Sequence, residues 1–130
     1  MPIELKRVLI ADDDPALVEL MTEGLAKLPI GVEQAFDGKE ALEKVRSGAF
    51  DLVLLDIMMP MIDGYHIASE ITSTMGEQAP KILYITSRDT KREGHLAGMT
   101  GAIGMLQKPF EMKEFREAVC GALGLPSPQV

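Results

Sequence analysis

A chain of 130 residues, 46% hydrophobic and 25% charged, is long enough to bury a core as one domain and too apolar to stay disordered. Its formal net charge of -7 argues against direct nucleic-acid binding by the domain, which needs clustered Lys and Arg, and fits a cation site or a basic partner. Cys120 is the single cysteine, which excludes an intrachain disulfide; it reads as a small core or near-surface residue of the last helix.

The apolar run Val8-Leu9-Ile10-Ala11 is too short, and too soon followed by acids, for a signal peptide or a membrane span. A cytoplasmic location without membrane contact is the default expectation. The run reads as a first strand, punctuated by Asp12-Asp13-Asp14-Pro15, in which Asp14 and Pro15 have the form of an N-cap and a first-turn proline. Leu17, Val18, Met21, Leu25 and Leu28 recur at three- and four-residue steps and predict a helix from Ala16 to Leu28, stopped by Pro29 and Gly31. Val32–Ala35 is a weak second strand, and Gly38 to Arg46 a second helix ended by Ser47-Gly48. Asp51–Asp56 has the continuous apolar centre of a strand covered on both faces. Met58–Gly64 is a loop carrying Pro60 and Gly64, and a helix runs from Tyr65 to about Met75 before Gly76 and Pro80 break it. Ile82–Thr86 is the fourth strand, a helix covers roughly Thr90–Met99, and Ala102–Leu106 is the fifth strand. Glu111 to Leu123 is the final helix. Residues 1–124 therefore read as one domain, and 125–130, with Pro126-Ser127-Pro128, as a tail or the start of a linker.

Strands separated by helical segments of this length argue for βαβ units and a parallel sheet, in which ligand chemistry gathers at the carboxyl ends of the strands. Just after those ends stand Asp12 and Asp13, Asp56, Thr86 and Ser87, and Lys108-Pro109. Singly, each has a plain explanation: a helix cap, local hydrogen bonding, a solvated turn charge. Together they make a site. Three crowded carboxylates raise one another's pKa, and a hard divalent cation relieves the repulsion; an all-oxygen donor set suits Mg²⁺. Lys108 supplies a compact positive charge and Thr86 a hydroxyl donor for phosphoryl oxygens. A carboxylate acceptor, a metal, a lysine and a hydroxyl are the parts that phosphoryl transfer needs.

From Arg7 to Leu123 the chain resembles the receiver domains of bacterial two-component response regulators. The resemblance is carried by Val8–Pro15, by Asp51-Leu52-Val53-Leu54-Leu55-Asp56-Ile57-Met58-Met59-Pro60-Met61-Ile62-Asp63-Gly64, by Ile85-Thr86-Ser87 and by Lys108-Pro109-Phe110. It implies an α/β fold with a flavodoxin-like five-stranded parallel sheet in the order 2-1-3-4-5, flanked by five helices. It also implies a signalling phosphoacceptor, rather than an enzyme in its own right, that assists its own phosphorylation and dephosphorylation. By the same resemblance Asp56 is the phosphoacceptor. Asp12, Asp13, Asp56 and the backbone carbonyl of Met58 hold Mg²⁺, Thr86 is the switch hydroxyl, Lys108 binds the phosphoryl group, and Pro109 follows a cis bond that aims the lysine inward. Arg88 and Met58 flank the site and tune hydrolysis of the phosphoryl group. The implied partners are a sensor histidine kinase or a histidine phosphotransfer protein upstream, an output partner or fused output domain downstream, and a homodimer as one consequence of phosphorylation.

One departure stands out. The family commonly has Tyr or Phe three residues before the lysine, where this chain has Met105, so signalling through the face of the fourth helix, fifth strand and fifth helix cannot use an aromatic swing at that position. His66 and His95, without Cys or His partners nearby, read as surface or packing residues, and Met58, Met59 and Met61 as gap fillers around the site loop. Three rivals fare worse. A haloacid-dehalogenase-type hydrolase would want an acid at Met58 and room for a cap domain. A flavodoxin would want a Ser/Thr/Gly phosphate loop in place of Asp12-Asp13-Asp14. A receiver that has lost phosphorylation would not keep every acid, Thr86 and Lys108. No DNA-binding or catalytic segment follows Leu123, so the chain reads either as a stand-alone regulator or as part of a longer protein.

Overall fold

The computed structural model describes residues 5–60, 62–87 and 98–126. In chain order they form β1 (Lys6–Ala11), α1 (Pro15–Leu25), β2 (Ile30–Ala35), α2 (Gly38–Ser47), β3 (Leu52–Asp56), α3 (Gly64–Met75) with a 3₁₀ turn at Gly76–Gln78, β4 (Lys81–Thr86), β5 (Gly104–Gln107) and α4 (Met112–Leu123). The strands lie in the order β2-β1-β3-β4-β5, all neighbours parallel, as expected. Four α-helices stand among the described residues, where five were expected. The missing one, placed at roughly 90–99, falls mostly on residues 88–97, which lie outside the described residues.

Side-chain alternation along the strands divides the core into two layers. Leu9, Val53, Leu55, Ile82 and Tyr84 pack with Leu42 and Val45 of α2 and Ile67 and Ile71 of α3. On the opposite face Val8, Ile10, Leu52, Leu54, Leu83 and Ile85 pack with Val18, Met21 and Leu25 of α1 and Phe115 and Val119 of α4. Every residue of β3 is buried, as its unbroken apolar run requires of a strand covered on both sides.

Several boundaries differ from the sequence reading, β1 beginning two residues earlier, at Lys6, and others shifting by a single residue. α1 stops at Leu25 instead of Leu28: Pro29 disfavours helix at the residue before it, and Leu28 closes a turn by donating its N–H to the Leu25 carbonyl at 3.1 Å. β2 starts earlier, at Ile30, because Ile30 and Gly31 pair with Lys6 and Arg7 of β1. β5 runs over Gly104–Gln107 instead of 102–106, its register beginning where Gly104 meets Leu83. Asp14, Asp37 and Asp63 cap α1, α2 and α3 through their side chains, so each helix departs sharply from the strand end before it. The polar residues left at those ends form a single cluster.

Candidate functional site

β1 and β3 are neighbours in register, Ala11 opposite Leu55, so Asp12 and Asp56 emerge side by side. Both are buried, 1% and 4% exposed, and Asp13 is exposed. Carboxylate oxygens of Asp12, Asp13 and Asp56 lie within 4.8 Å of one another. Backbone donors fix two of them: the Asp14 N–H reaches Asp12 Oδ1 at 3.0 Å, and the Met58 N–H reaches Asp56 Oδ1 at 3.2 Å.

β4 and β5 bring the remaining parts. Asp56 pairs with Ile85 in the sheet, which sets the fully buried Thr86 one residue further along the neighbouring strand. The Lys108 N–H donates to the Thr86 carbonyl at 2.7 Å, and the Lys108–Pro109 peptide is cis. Lys108 Nζ then sits 2.8 Å from Asp12 Oδ2 and 3.7 Å from Asp56 Oδ1. Asp12, Asp13, Asp56 and Lys108 therefore converge in one site, and Thr86 is held at its edge through Lys108.

Among the described residues, the electrostatics are those of an anionic pocket short of positive charge. Burial first, then the Asp12 carboxylate, push the Asp56 carboxyl from its ordinary 3.8 up to about 6; Lys108 and the Met58 N–H act the other way, and Asp13 adds to the rise. Three described carboxylates face one described ammonium, and the carboxylates offer only oxygen donors. That set fits a hard divalent cation such as Mg²⁺.

Some residues fall elsewhere than expected. The Met58 side chain is 52% exposed beside the site and fills no gap, because its backbone turns to donate to Asp56 and leaves the thioether facing solvent; Met59, at 7%, does pack in the core. His66 is exposed and Cys120 buried, as read. Met61, Arg88 and His95 lie outside the described residues.

Gly64 reads from the sequence as a loop breaker and the last residue of the central motif; it is the first residue of α3 and packs against the end of β3 at Asp56. A Cβ there would lie 2.6 Å from the Asp56 carbonyl oxygen and 2.8 Å from Ile57 Cα, and its N–H donates to the Ile57 carbonyl at 2.8 Å. Only glycine lets the helix start press this closely on the end of β3. The available signal was Asp63 just before it, whose carboxylate caps the helix by accepting from the His66 N–H at 2.9 Å.

Residues 8–120 match the response regulator receiver domain family. Response regulator MprA of Mycolicibacterium vanbaalenii is 41% identical over 115 residues, covering 88% of this chain and 47% of that protein. The chain thus spans about half the length of the curated relatives it matches. Among solved structures, the chemotaxis response regulator CheY4 of Vibrio cholerae superposes with a TM-score of 0.86 at 26% identity, covering 92% of this chain and 100% of that one. Response regulator TrrA of Thermotoga maritima, solved in complex with Mg²⁺-BeF, superposes with a TM-score of 0.81 at 35% identity and the same coverage.

Proposed function

The chain belongs to the response regulator receiver domain family, and on that footing we propose that Asp56 accepts a phosphoryl group from a histidine kinase or histidine phosphotransfer protein. The resulting change in shape regulates an output partner or a fused output domain. The observation that carries this reading is the meeting of the three carboxylates, within 4.8 Å of one another, with Lys108 Nζ at 2.8 Å from Asp12.

In the transfer, an Asp56 carboxylate oxygen forms a bond to phosphorus while the bond from phosphorus to the donor's histidine nitrogen breaks, its electron pair staying with the imidazole. Lys108, already within 3.7 Å of Asp56, offers its ammonium to a phosphoryl oxygen, and the Thr86 hydroxyl offers a donor to another. Asp12, Asp13, Asp56 and the Met58 backbone carbonyl would hold Mg²⁺, whose charge offsets the repulsion between the incoming phosphoryl oxygens and the carboxylates. Residues 1–124 form the receiver domain in this reading and 125–130 a tail or the start of a linker. No described helix is long and apolar enough to cross a membrane, and the cytoplasm, where a histidine kinase would present its phosphoryl group, is the proposed location.

Thr86→Ala separates acceptance from switching. The acids and Lys108 remain, so the variant is expected to take up beryllofluoride with Mg²⁺ at wild-type stoichiometry while losing most of the spectral change that follows. A full wild-type change in Thr86→Ala would remove the hydroxyl from the switch. Met105 supplies a second readout. It packs, partly buried, against the layer that holds Tyr84, its partner in the sheet. An unbranched thioether changes rotamer at little cost, so the Met105 methyl resonance is expected to shift on beryllofluoride binding, with Met105→Leu assigning it. An unmoved Met105 signal beside clear shifts at Thr86 would exclude this methionine as the coupled element.

A further inference from the structure

Tyr84 lies two residues before Thr86 on β4, so strand alternation puts the two side chains on one face of the sheet. Its side chain is fully buried, and its ring meets that of Tyr65 on α3 edge-on, with centroids 5.3 Å apart and planes at 76°. Its hydroxyl and Thr100 Oγ1 share a hydrogen bond of 2.6 Å. The Thr100 carbonyl in turn accepts from Thr72 Oγ1 of α3 at 3.1 Å. Gly101 then turns the chain toward β5 with φ at +86°, a conformation that favours glycine, and Ile103 donates its N–H to the Ile82 carbonyl at 2.8 Å. One phenol thus joins the strand that ends in Thr86 to the turn that leads into β5. Met99 and Ile103, 71% and 51% exposed, flank the turn.

We propose that the Tyr84 hydroxyl is the latch through which a change at Thr86 reaches the turn around Thr100 and alters the surface carrying Met99 and Ile103. This rests on the acceptor reading of Asp56. A phenol buried in an apolar layer is costly to leave without a partner. When Thr86 moves toward a phosphoryl group on Asp56 and draws the end of β4 with it, the Thr100 turn must follow or the bond must break. Either outcome changes the turn. Burial outweighs the Thr100 hydrogen bond and pushes the phenol up to about 12, so Tyr84 keeps its proton and its donor capacity across the physiological range. The role left open by the thioether at Met105 thus falls to the aromatic side chain opposite it on β4.

The chain has two tyrosines and no tryptophan, so tyrosine emission reports on the Tyr65–Tyr84 pair alone. The test uses the full chain with Mg²⁺ and beryllofluoride, binding being followed separately by fluorine NMR and the turn by the Met99 methyl resonance. Wild type is expected to change its tyrosine signal and shift Met99 on binding. Tyr84→Phe, which keeps the ring, is expected to bind beryllofluoride at unchanged stoichiometry and to lose at least half of the Met99 shift. Thr100→Val should reproduce that loss from the other side of the bond, and Tyr65→Phe should leave the shift intact. A full Met99 shift in Tyr84→Phe or in Thr100→Val, with fluoride bound, overturns the latch. Absence of fluoride binding in wild type overturns the acceptor reading first, and the latch with it.

Discussion

Asp56→Asn is expected to raise the stability of the metal-free protein at about pH 7.5 by on the order of 1–3 kcal/mol, although it removes the proposed acceptor. The Asp56 carboxyl is pushed from 3.8 up to about 6, mainly by burial and the neighbouring Asp12. For an acid shifted upward, the unfolded chain gives up its proton first as pH rises. Native stability therefore falls between about pH 4 and pH 6, and the full penalty persists above that window. Asparagine carries no charge and can still accept from the Met58 N–H, while Lys108 keeps Asp12 at 2.8 Å. The gain should thus be small near pH 4 and complete above pH 6. Urea unfolding of both proteins across that range, with a chelator present, measures it. Parallel curves with no pH-dependent gap would mean that Asp56 is not strained by its charge. Added Mg²⁺ should then stabilise wild type, because the ion binds only the native state, and should do so much less in Asp56→Asn.

Gly64→Ala is expected to destabilise the domain by about 2–3 kcal/mol, at the upper end of the usual cost of overpacking. The nearest neighbours of the added methyl are backbone atoms, the Asp56 carbonyl oxygen at 2.6 Å and Ile57 Cα at 2.8 Å. No rotamer change relieves such a clash, so α3 must back away from the end of β3. Because the displaced residue is Asp56 itself, uptake of beryllofluoride should weaken as well. Gly31→Ala is the control: nothing lies within 4 Å of its added Cβ, and its effect should stay within about 0.5 kcal/mol. Thermal melts of the two variants decide the matter, and equal midpoints would show that the start of α3 does not constrain β3.

Asp12, Asp13, Asp56 and Thr86 were legible because they stand at the ends of unambiguous apolar runs, and Lys108 because it precedes Pro109 in a recognisable motif. β3, β1 and β4 are buried along nearly their whole length, and no other placement hides Leu52–Leu55 or Val8–Ala11. Asp12, Asp13, Asp56 and Lys108 therefore meet where the topology requires. Weaker patterns gave weaker boundaries. In β2 only the two end residues are buried, so periodicity could not mark its start at Ile30, and the short β5 is fixed by pairing with Leu83–Thr86 more than by its own composition. The close approach at Gly64 and the hydroxyl link from Tyr84 to Thr100 were invisible for another reason. Both depend on distances between segments remote in the chain, which no local pattern carries. Met58 was misplaced on the same ground, since nothing in its neighbours says which way the loop turns its side chain.

The central functional claim is that Asp56 is the acceptor and that a cation is required. Intact-protein mass, measured under mild conditions after incubation with a small phosphodonor, tests it most directly. Wild type with Mg²⁺ is expected to gain one phosphoryl group, and to gain none in the presence of a chelator. Asp56→Asn is expected to gain none in either condition. Full-stoichiometry labelling of Asp56→Asn, or labelling of wild type that ignores the chelator, would contradict the account.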